Sequence, residues 1–249
     1  MAPHPTAFLT RIYRVARAEV AAVVAFLVLA TGILVFVDLA DEMKELDGQS
    51  FDQSVLMMLR PYADRPDQPW GPWWLHEGAA DLTSLGGISV LGLFALIALG
   101  FLLIQKKRLS AVLLVVGLGG GVALSEGLKS LFARERPPAA YQVVETLNAS
   151  FPSGHALLAT VFYLSLGVML TRAFPQRRLK AYAMAVAIVI ALLIGLTRIY
   201  LGAHWATDVF AGWSVGAAWA MSLWLFAYAV ERRQRVNQSR LLDEPSTKV

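Results

Sequence analysis

Long apolar segments with almost no charged residues recur along this 249-residue chain. A helix needs about 20 mostly apolar residues to cross the roughly 30 Å hydrocarbon core of a bilayer, and only structures that satisfy their own backbone hydrogen bonds are stable there. The pattern predicts an all-α, polytopic membrane protein with six transmembrane helices. The predicted spans are Val20–Val37, Leu82–Ile104, Leu109–Leu128, His155–Leu170, Ala181–Leu196 and Trp205–Val230.

The composition excludes several classes of protein. Hydrophobic residues make up 57% of the chain and charged residues 16%, whereas a soluble domain usually has about 45–50% apolar and about 25% charged residues. A water-soluble enzyme and a disordered chain are therefore excluded. Because the chain has no cysteine, thiol nucleophiles, iron–sulfur clusters and Cys-bound zinc are excluded as well. The length suits a single domain over residues 1–249.

Basic and acidic residues are distributed unevenly between the two sides of the predicted helices. The side that carries both termini and the turns after the second and fourth spans holds 15 of the 22 Lys and Arg but 4 of the 18 Asp and Glu. By the positive-inside rule this side is cytoplasmic, so 1–19 is a cytoplasmic segment and 231–249 a cytoplasmic tail. The net charge of +4 reflects this topology and does not indicate nucleic-acid binding. The predicted location is the bacterial inner (plasma) membrane, with the other side facing the periplasm.

The segment 38–81 is the longest stretch outside the predicted spans. Phe51, Val55 and Leu59 recur at every fourth position, a spacing that predicts a short amphipathic helix on the membrane surface. The tryptophans within Trp70–Trp74 favour the headgroup level. We predict a periplasmic loop folded onto the interface, without a catalytic role of its own.

Ionisable side chains gather at the outer ends of the predicted spans, although three separate segments supply them. Such residues at a membrane boundary are functional candidates by default. Lys129 and Arg136 share one helix face if the third helix continues to Pro137, which ends it. Snorkelling towards lipid headgroups is the structural alternative. The full set is Lys129, Arg134, Arg136, His155, Arg198, His204 and Asp208.

The sequence Pro152-Ser153-Gly154-His155 stands directly before the fourth span. Proline and glycine shape a tight turn, and the Ser153 hydroxyl is a suitable helix N-cap. Backbone N–H groups at such a helix start point towards an anion. An ordinary N-cap with an interfacial histidine is the alternative interpretation.

His204 and Asp208 are one helical turn apart at the start of the sixth span. The carboxylate accepts the proton of one imidazole nitrogen, which leaves the other nitrogen unprotonated, as a nucleophilic histidine requires. A helix-capping His–Asp pair is the structural alternative. A second chemical interpretation makes His155, His204 and Asp208 ligands of zinc. The neighbouring Lys and Arg side chains repel a divalent cation and favour a phosphate dianion, so we predict no metal and no cofactor.

Three motifs occur in a fixed order along the chain: K-x6-R-P at Lys129–Pro137, P-S-G-H at Pro152–His155, and T-R-x5-H-x3-D at Thr197–Asp208. Together they resemble the signature of the type 2 phosphatidic acid phosphatases, the lipid phosphate phosphatase or PAP2 superfamily, which shares its core with vanadium haloperoxidases. The resemblance implies a PAP2/haloperoxidase-like helical core within the six-span bundle.

The resemblance covers at least residues 82–230, and the stretches Phe51–Arg60 and Asp81–Ser84 are also similar to the family. Thr197 stands where many members have serine. Because a hydroxyl is retained, this departure puts little in doubt.

The resemblance implies a role for each residue of the constellation. His204 attacks phosphorus and forms a phosphohistidine, Asp208 orients His204, and His155 protonates the leaving oxygen and then activates water. Arg134 is either an additional phosphate contact or a headgroup anchor. The implied phosphate-binding residues are Lys129, Arg136, Ser153, Gly154 and Arg198.

A site at the outer end of a helical bundle is best placed to meet a phosphate on a membrane lipid. Relatives suggest undecaprenyl diphosphate, phosphatidylglycerol phosphate, phosphatidic acid or lipid A phosphate, and the first of these is our first choice. We expect the lipid to enter between helices, under the Trp70–Trp74 loop. A phosphotransferase of the same fold is the alternative function. A transporter is more distant, because neither charges at mid-membrane nor inverted repeats are visible.

Overall fold

The computed structural model describes residues 5–43, 46–144 and 148–243, with the side chains of 5–18, 46–47 and 239–243 left aside. The predicted end segments 1–19 and 231–249 therefore extend outside the described residues at 1–4 and 244–249. Every regular element in the described ranges is a helix. The α-helices are α1 (Pro5–Glu42), α2 (Leu46–Met58), α3 (Trp73–Ser84), α4 (Ile88–Ile104), α5 (Arg108–Phe132), α6 (Gly154–Ala173), α7 (Arg177–Tyr200) and α8 (Ala206–Asp243), with a short 3₁₀ turn at Ala139–Tyr141.

The prediction of an all-α, polytopic membrane protein is confirmed. Five of the described helices are long and apolar enough to cross a membrane, and α3 and α4 together form a sixth span if the bent pair is counted as one. The predicted spans His155–Leu170 and Ala181–Leu196 belong to longer helices, of 20 and 24 residues. The first and last helices extend well beyond their predicted ends.

The predicted second span, Leu82–Ile104, is not one continuous helix. It is broken between α3 and α4, whose axes differ by 49°. Gly86 and Gly87 lie in the break, where a Cβ on Gly86 would be 3.4 Å from the His155 ring and would overlap the Ile194 side chain. The chain bends here because two residues without side chains let His155 and Ile194 pack against the backbone.

The outer segment contains more helix than the sequence predicted. The expected surface helix is present as α2, but its buried face carries Asp52 and Leu56, and Phe51 is 45% exposed. Of the predicted stripe, Val55 and Leu59 pack against the core and Phe51 does not. Further along, α3 begins at Trp73, so the tryptophan stretch is partly helical, and Trp70, Trp73 and Trp74 are all exposed.

α6 is the central helix of the bundle, and it packs against α4, α5, α7 and α8. The approach of α8 is closest at Gly212 and Gly216, where a Cβ would lie 2.6 Å from the Ser153 carbonyl oxygen and 2.7 Å from that of Leu157. Small residues permit such close helix packing in membranes. As a result, the start of α6 lies directly beside the start of α8.

The two ends of the bundle differ in their ion pairs. At one end, Arg172 of α6 contacts Glu231 of α8 at 2.6 Å, and Arg232 of α8 contacts Glu19 of α1 at 3.1 Å. The starts of α6 and α8 and the end of α7 lie at the opposite end. The three sequence motifs therefore meet at that end, as the six-span interpretation requires.

Candidate active site

The turn between α7 and α8 carries His204, and the first turn of α8 carries Asp208. Both side chains are buried, with 3% and 0% residue exposure. Asp208 Oδ2 lies 3.4 Å from His204 Nδ1 and accepts hydrogen bonds from the Trp205 backbone N–H, at 2.9 Å, and from the Ser150 hydroxyl. The carboxylate is thus fixed by the protein on the side that faces the imidazole.

The partners of the two imidazole nitrogens determine the tautomer of His204. Arg136 Nη1 lies 3.1 Å from His204 Nε2, and because a guanidinium is only a donor, Nε2 is the unprotonated nitrogen. Nδ1 then carries the proton that faces Asp208. Burial lowers the pKa of His204 to about 4, with Arg136 and Arg198 acting in the same direction and Asp208 opposing it. At neutral pH the structure presents a neutral imidazole whose unprotonated Nε2 faces Arg136.

Arg136 reaches His204 from a non-helical linker. Helix α5 ends at Phe132, and Ala133 has a left-handed backbone with φ of 46°. The third helix therefore does not continue to Arg136, and the shared helix face with Lys129 is not formed. Arg136 instead donates to the carbonyl oxygens of Ala203 and Asn148 at 2.6 and 2.5 Å.

Arg134 is occupied by protein acceptors. Its Nη1 donates to Asp208 Oδ1 at 2.6 Å and to the Thr207 hydroxyl at 2.7 Å, while Nη2 donates to Asp52 Oδ2 at 2.7 Å. Asp52 also accepts from the Thr207 backbone N–H and hydroxyl, at 3.0 and 2.6 Å. Both terminal nitrogens of Arg134 thus have protein acceptors, and the two alternatives offered by the sequence, a phosphate contact or a headgroup anchor, stay predictions.

The start of α6 lies against α5. Ser153 is the N-cap of α6, and its hydroxyl accepts from the Ala156 N–H at 3.5 Å, as predicted. A Cβ on Gly154 would lie 3.4 Å from Lys129 Nζ and 3.0 Å from the Ser125 hydroxyl. The ammonium of Lys129, which also pairs with Glu126 at 3.1 Å, is thus held at the positive end of the α6 dipole.

Arg198 and His155 complete the constellation. Arg198 is 4% exposed and donates from Nη1 to the Thr83 hydroxyl at 3.1 Å, and its Nε has no hydrogen-bond partner among the described residues. His155 lies close enough to Arg198, His204, Lys129 and Arg136 for their charges to act on it. Segments far apart in sequence therefore supply one cationic site around two histidines.

The sequence analysis did not identify four polar residues that contact this constellation: Asp52, Thr83, Ser150 and Thr207. Asp52 and Thr83 fall in the two stretches that resemble the family outside the main motifs, and this resemblance could have pointed to them. Ser150 lies two residues before the second motif and Thr207 at a variable position of the third, and neither carried a signal of its own. All four are less than 9% exposed.

The charge of the site bears on what it binds. Within the described residues, no group of three or more His, Asp or Glu side chains has the geometry of a metal site. Instead, His155 lies within reach of the positive charges of three side chains, those of Lys129, Arg136 and Arg198. Guanidinium groups bind phosphate oxygens through paired hydrogen bonds, so the arrangement is suited to an anion with several oxygen atoms.

Gly202 sets the path of the turn that carries His204. Its φ is +67°, and a Cβ would overlap the Tyr141 carbonyl oxygen and lie 2.7 Å from Arg60 Nη2. Arg60 is 5% exposed and donates to that same carbonyl at 2.8 Å. The turn is therefore closed by two other segments of the chain, and it has no room for a side chain.

We expect Gly202→Ala to destabilise the protein by about 2–5 kcal/mol, the sum of a left-handed backbone and overpacking. Thermal unfolding in detergent measures the loss. Gly119→Ala is the matched control, because nothing lies within 4 Å of its Cβ position and alanine favours a helix over glycine by about 1 kcal/mol. Equal unfolding temperatures for the two variants would contradict this account of the turn.

Known proteins are similar to this chain in sequence. Residues 110–232 match the family model of the PAP2 superfamily. Phosphatidylglycerophosphatase B of Bacillus subtilis is 35% identical over 145 residues, which are 57% of this chain and 70% of that protein. An undecaprenyl-diphosphatase of Sulfolobus acidocaldarius is 29% identical over 121 residues, 47% of this chain and 54% of that protein.

Solved structures agree with the sequence relatives. The crystal structure of a transmembrane PAP2 type phosphatidylglycerolphosphate phosphatase from Bacillus subtilis superposes with a TM-score of 0.74 and 28% identity, covering 81% of this chain and 96% of that one. Aquifex aeolicus LpxE has a TM-score of 0.53 and 23% identity, covering 69% and 93% of the two chains. The second likeness shows a common fold.

Proposed function

This chain belongs to the PAP2 superfamily of lipid phosphatases, and we propose that it removes the terminal phosphate of a membrane lipid through a phosphohistidine on His204, without a metal ion. The observation that carries the proposal is the tautomer of His204. Its Nδ1 faces Asp208 at 3.4 Å and its Nε2 faces a guanidinium at 3.1 Å. A neutral histidine held in this way is a nucleophile directed at the position where Arg136 would hold a phosphate.

The phosphate is bound by positive charge from three directions. Arg136 lies beside His204 Nε2, the Arg198 Nε is buried without a partner, and Lys129 lies at the start of α6. The unpartnered Arg198 nitrogen supports a bound anion, because a buried donor without an acceptor is unfavourable. The Ser153 hydroxyl and the Gly154 N–H would hold further oxygens. Phosphoryl transfer depends mainly on such positioning and on stabilising negative charge.

The reaction takes two steps. His204 Nε2 bonds to phosphorus while the bond from phosphorus to the lipid oxygen breaks, and His155 gives that oxygen a proton. Asp208 stabilises the positive charge that the imidazole acquires. Water then attacks phosphorus, His155 takes the proton of that water, and the bond from phosphorus to Nε2 breaks. Inorganic phosphate is released and the neutral His204 is restored.

The lipid reaches the site from the bilayer. The relatives are named for phosphatidylglycerophosphate and undecaprenyl diphosphate, and both lipids are candidate substrates here, with lipid A phosphate as a third. The exposed tryptophans of the Trp70–Trp74 stretch suit the headgroup level. The Tyr200 hydroxyl at the end of α7 donates to the Trp70 carbonyl at 2.7 Å, which attaches this stretch to the helix that carries Arg198.

Phosphate release by detergent-purified protein in EDTA, from a panel of these lipids with His204→Ala as the blank, tests the function. We expect release that survives EDTA and is lost in the variant. Acid-labile, alkali-stable labelling of the protein by radiolabelled substrate would identify the phosphohistidine. Release abolished by EDTA would overturn the metal-independent mechanism. Release that appears only with an added lipid or sugar acceptor would favour a phosphotransferase.

The site is proposed to face the outside of the cell, with both termini in the cytoplasm. Because the chain has no cysteine, single cysteines report the side of each end without background. We expect Trp70→Cys in intact cells to react with a membrane-impermeant maleimide, and Gln176→Cys, which begins α7 at the other end, to react only after the membrane is opened. The reverse pattern would contradict the proposed orientation.

The low pKa of His204 predicts where activity is lost in acid. The neutral imidazole is the nucleophile, so the nucleophilic form is retained until the pH falls to about 4, well below the usual histidine value near 6.5. Histidine labelled with an NMR-active nitrogen gives few signals in a chain with 4 histidines, and His204→Gln assigns this one. We expect its signal to stay that of a neutral ring down to pH 5. A midpoint near 6.5 would contradict the prediction.

A further inference from the structure

A buried chain of charges links the surface helix α2 to the residue that orients His204. Asp52 on α2 is 2% exposed and Asp208 is 0% exposed. Arg134 lies between the two carboxylates, with Nη2 at 2.7 Å from Asp52 and Nη1 at 2.6 Å from Asp208. One guanidinium therefore serves two buried carboxylates, and no phosphate-binding role is needed to explain its position.

The contacts of Asp208 show what this guanidinium does. Its Oδ2 faces His204 Nδ1 and accepts from Ser150 and from the Trp205 N–H, whereas its Oδ1 accepts from Arg134. With both oxygens held, the carboxylate has little freedom to rotate away from the imidazole. Asp52 in turn holds Arg134 in place, and the two hydrogen bonds that Asp52 accepts from Thr207 fix it to α8.

We propose that Asp52 and Arg134 form a positioning pair that holds Asp208 against His204. The pair thereby determines the rate of phosphoryl transfer and leaves lipid binding unaffected. This inference rests on the phosphatase function proposed above. A buried carboxylate whose cation is removed is left uncompensated, and Asp208 would then be less firmly held beside the imidazole. Arg134 reaches the reacting histidine through Asp208, so its loss is expected to lower kcat and to leave KM unchanged.

A pocket gives access to this pair from outside. It has a volume of about 260 Å³ and is lined by both members of the pair, by the exposed residues Gln49, Gln53 and Glu135, and by Met43 and Trp205. The Arg134 side chain is 11% exposed, and its guanidinium lies 5.8 Å from the centre of the Trp205 ring. Truncation of Arg134 would leave a space with a carboxylate on two sides and an aromatic ring beside it. A free guanidinium ion fits that environment.

Chemical rescue of Arg134→Ala by guanidinium tests the proposal, with phosphate release measured from the lipid that the wild-type protein hydrolyses fastest. We expect kcat to fall about 10²-fold, as for the misplacement of a catalytic group, with KM within twofold of the wild-type value. Guanidinium chloride at millimolar concentration should raise the kcat of Arg134→Ala at least tenfold, and this increase should saturate with concentration. Urea, which is similar in shape and uncharged, should restore nothing.

Two further variants separate positioning from a general structural effect. Asp52→Asn in the Arg134→Ala background removes a carboxylate that would bind the ion, and the rescue should disappear. Arg134→Lys keeps the charge but cannot bridge two carboxylates with a planar fork, so a loss of about tenfold in kcat is expected even if Arg134→Ala fails to fold. An unchanged kcat in Arg134→Lys, or a raised KM with a normal kcat, would overturn the proposal.

The nitrogen NMR signal of His204 measures the same coupling without turnover. In Arg134→Ala the Nδ1 signal should move away from its wild-type position, and guanidinium should return it. A folded Arg134→Ala protein in which neither kcat nor this signal responds to guanidinium would falsify the positioning role. If the wild-type protein releases no phosphate from any lipid, the proposed function fails, and the NMR response still decides for or against the pair.

Discussion

Replacing His204 with alanine is expected to lower phosphate release by at least about 10³-fold, the scale of loss when a nucleophile of covalent catalysis is removed. Nε2 is the only atom of this residue that the structure leaves for phosphorus, because Nδ1 faces Asp208. Alanine leaves the cationic residues in place, so a lipid phosphate should still bind. The expected signature is a loss of kcat and of covalent labelling, with binding retained.

His76→Ala is the matched control for this prediction. The His76 ring contacts the Pro69 carbonyl at 3.1 Å and the ring of Tyr200, and it has no part in the constellation. Phosphate release by His76→Ala should stay within twofold of the wild-type rate. If His204→Ala kept more than a tenth of the wild-type rate, another group would have to be the nucleophile.

Asp208→Asn is expected to reduce kcat by about 10²–10⁴-fold, the range seen when an orienting carboxylate is replaced by its amide. Asparagine has nearly the same shape, so the fold should be retained. Its amide group can donate to Nδ1, which would favour the tautomer with the proton on Nε2. The nitrogen that should attack phosphorus would then be blocked, and Arg134 would lose one of its two carboxylates.

Steady-state kinetics, thermal unfolding and the nitrogen NMR signals of His204 check this result together. In Asp208→Asn the chemical shifts that are typical of a protonated and an unprotonated ring nitrogen should change places between Nδ1 and Nε2. Asp64→Asn is the control, because the Asp64 side chain is 79% exposed and pairs with Arg65 at the surface; no change is expected. An Asp208→Asn protein with near-normal kcat would mean that Ser150 and the backbone suffice to orient the ring.

Much of the fold followed from hydropathy alone, since the bilayer leaves few structures to an apolar chain of this length. The prediction failed where side chains of different segments meet. The second span is broken because Gly86 and Gly87 lie under His155 and Ile194, and helix α5 ends at Phe132 because Ala133 adopts a left-handed turn. Neither the packing at the two glycines nor the turn at Ala133 can be predicted from a short stretch of sequence.

Asp52 shows most clearly why part of the site escaped the sequence. An amphipathic helix is recognised by its apolar stripe, and the stripe through Phe51, Val55 and Leu59 gives no sign that a charged neighbour is buried. The structure also buries Asp52, because Arg134 and Thr207 supply it with hydrogen bonds. A buried carboxylate looks like a solvated one until its distant partners are known.

The short linker after α5 has a consequence for chain length. Arg134 and Arg136 both turn inwards, one to Asp208 and the other to His204, while Glu135 between them is exposed and offers only its backbone carbonyl, to Trp205. Inserting a single residue after Ala133 would shift this stretch by one position, so that the acidic side chain of Glu135 would take the place of Arg136 and face His204. In this stretch the number of residues is therefore as constrained as their identity.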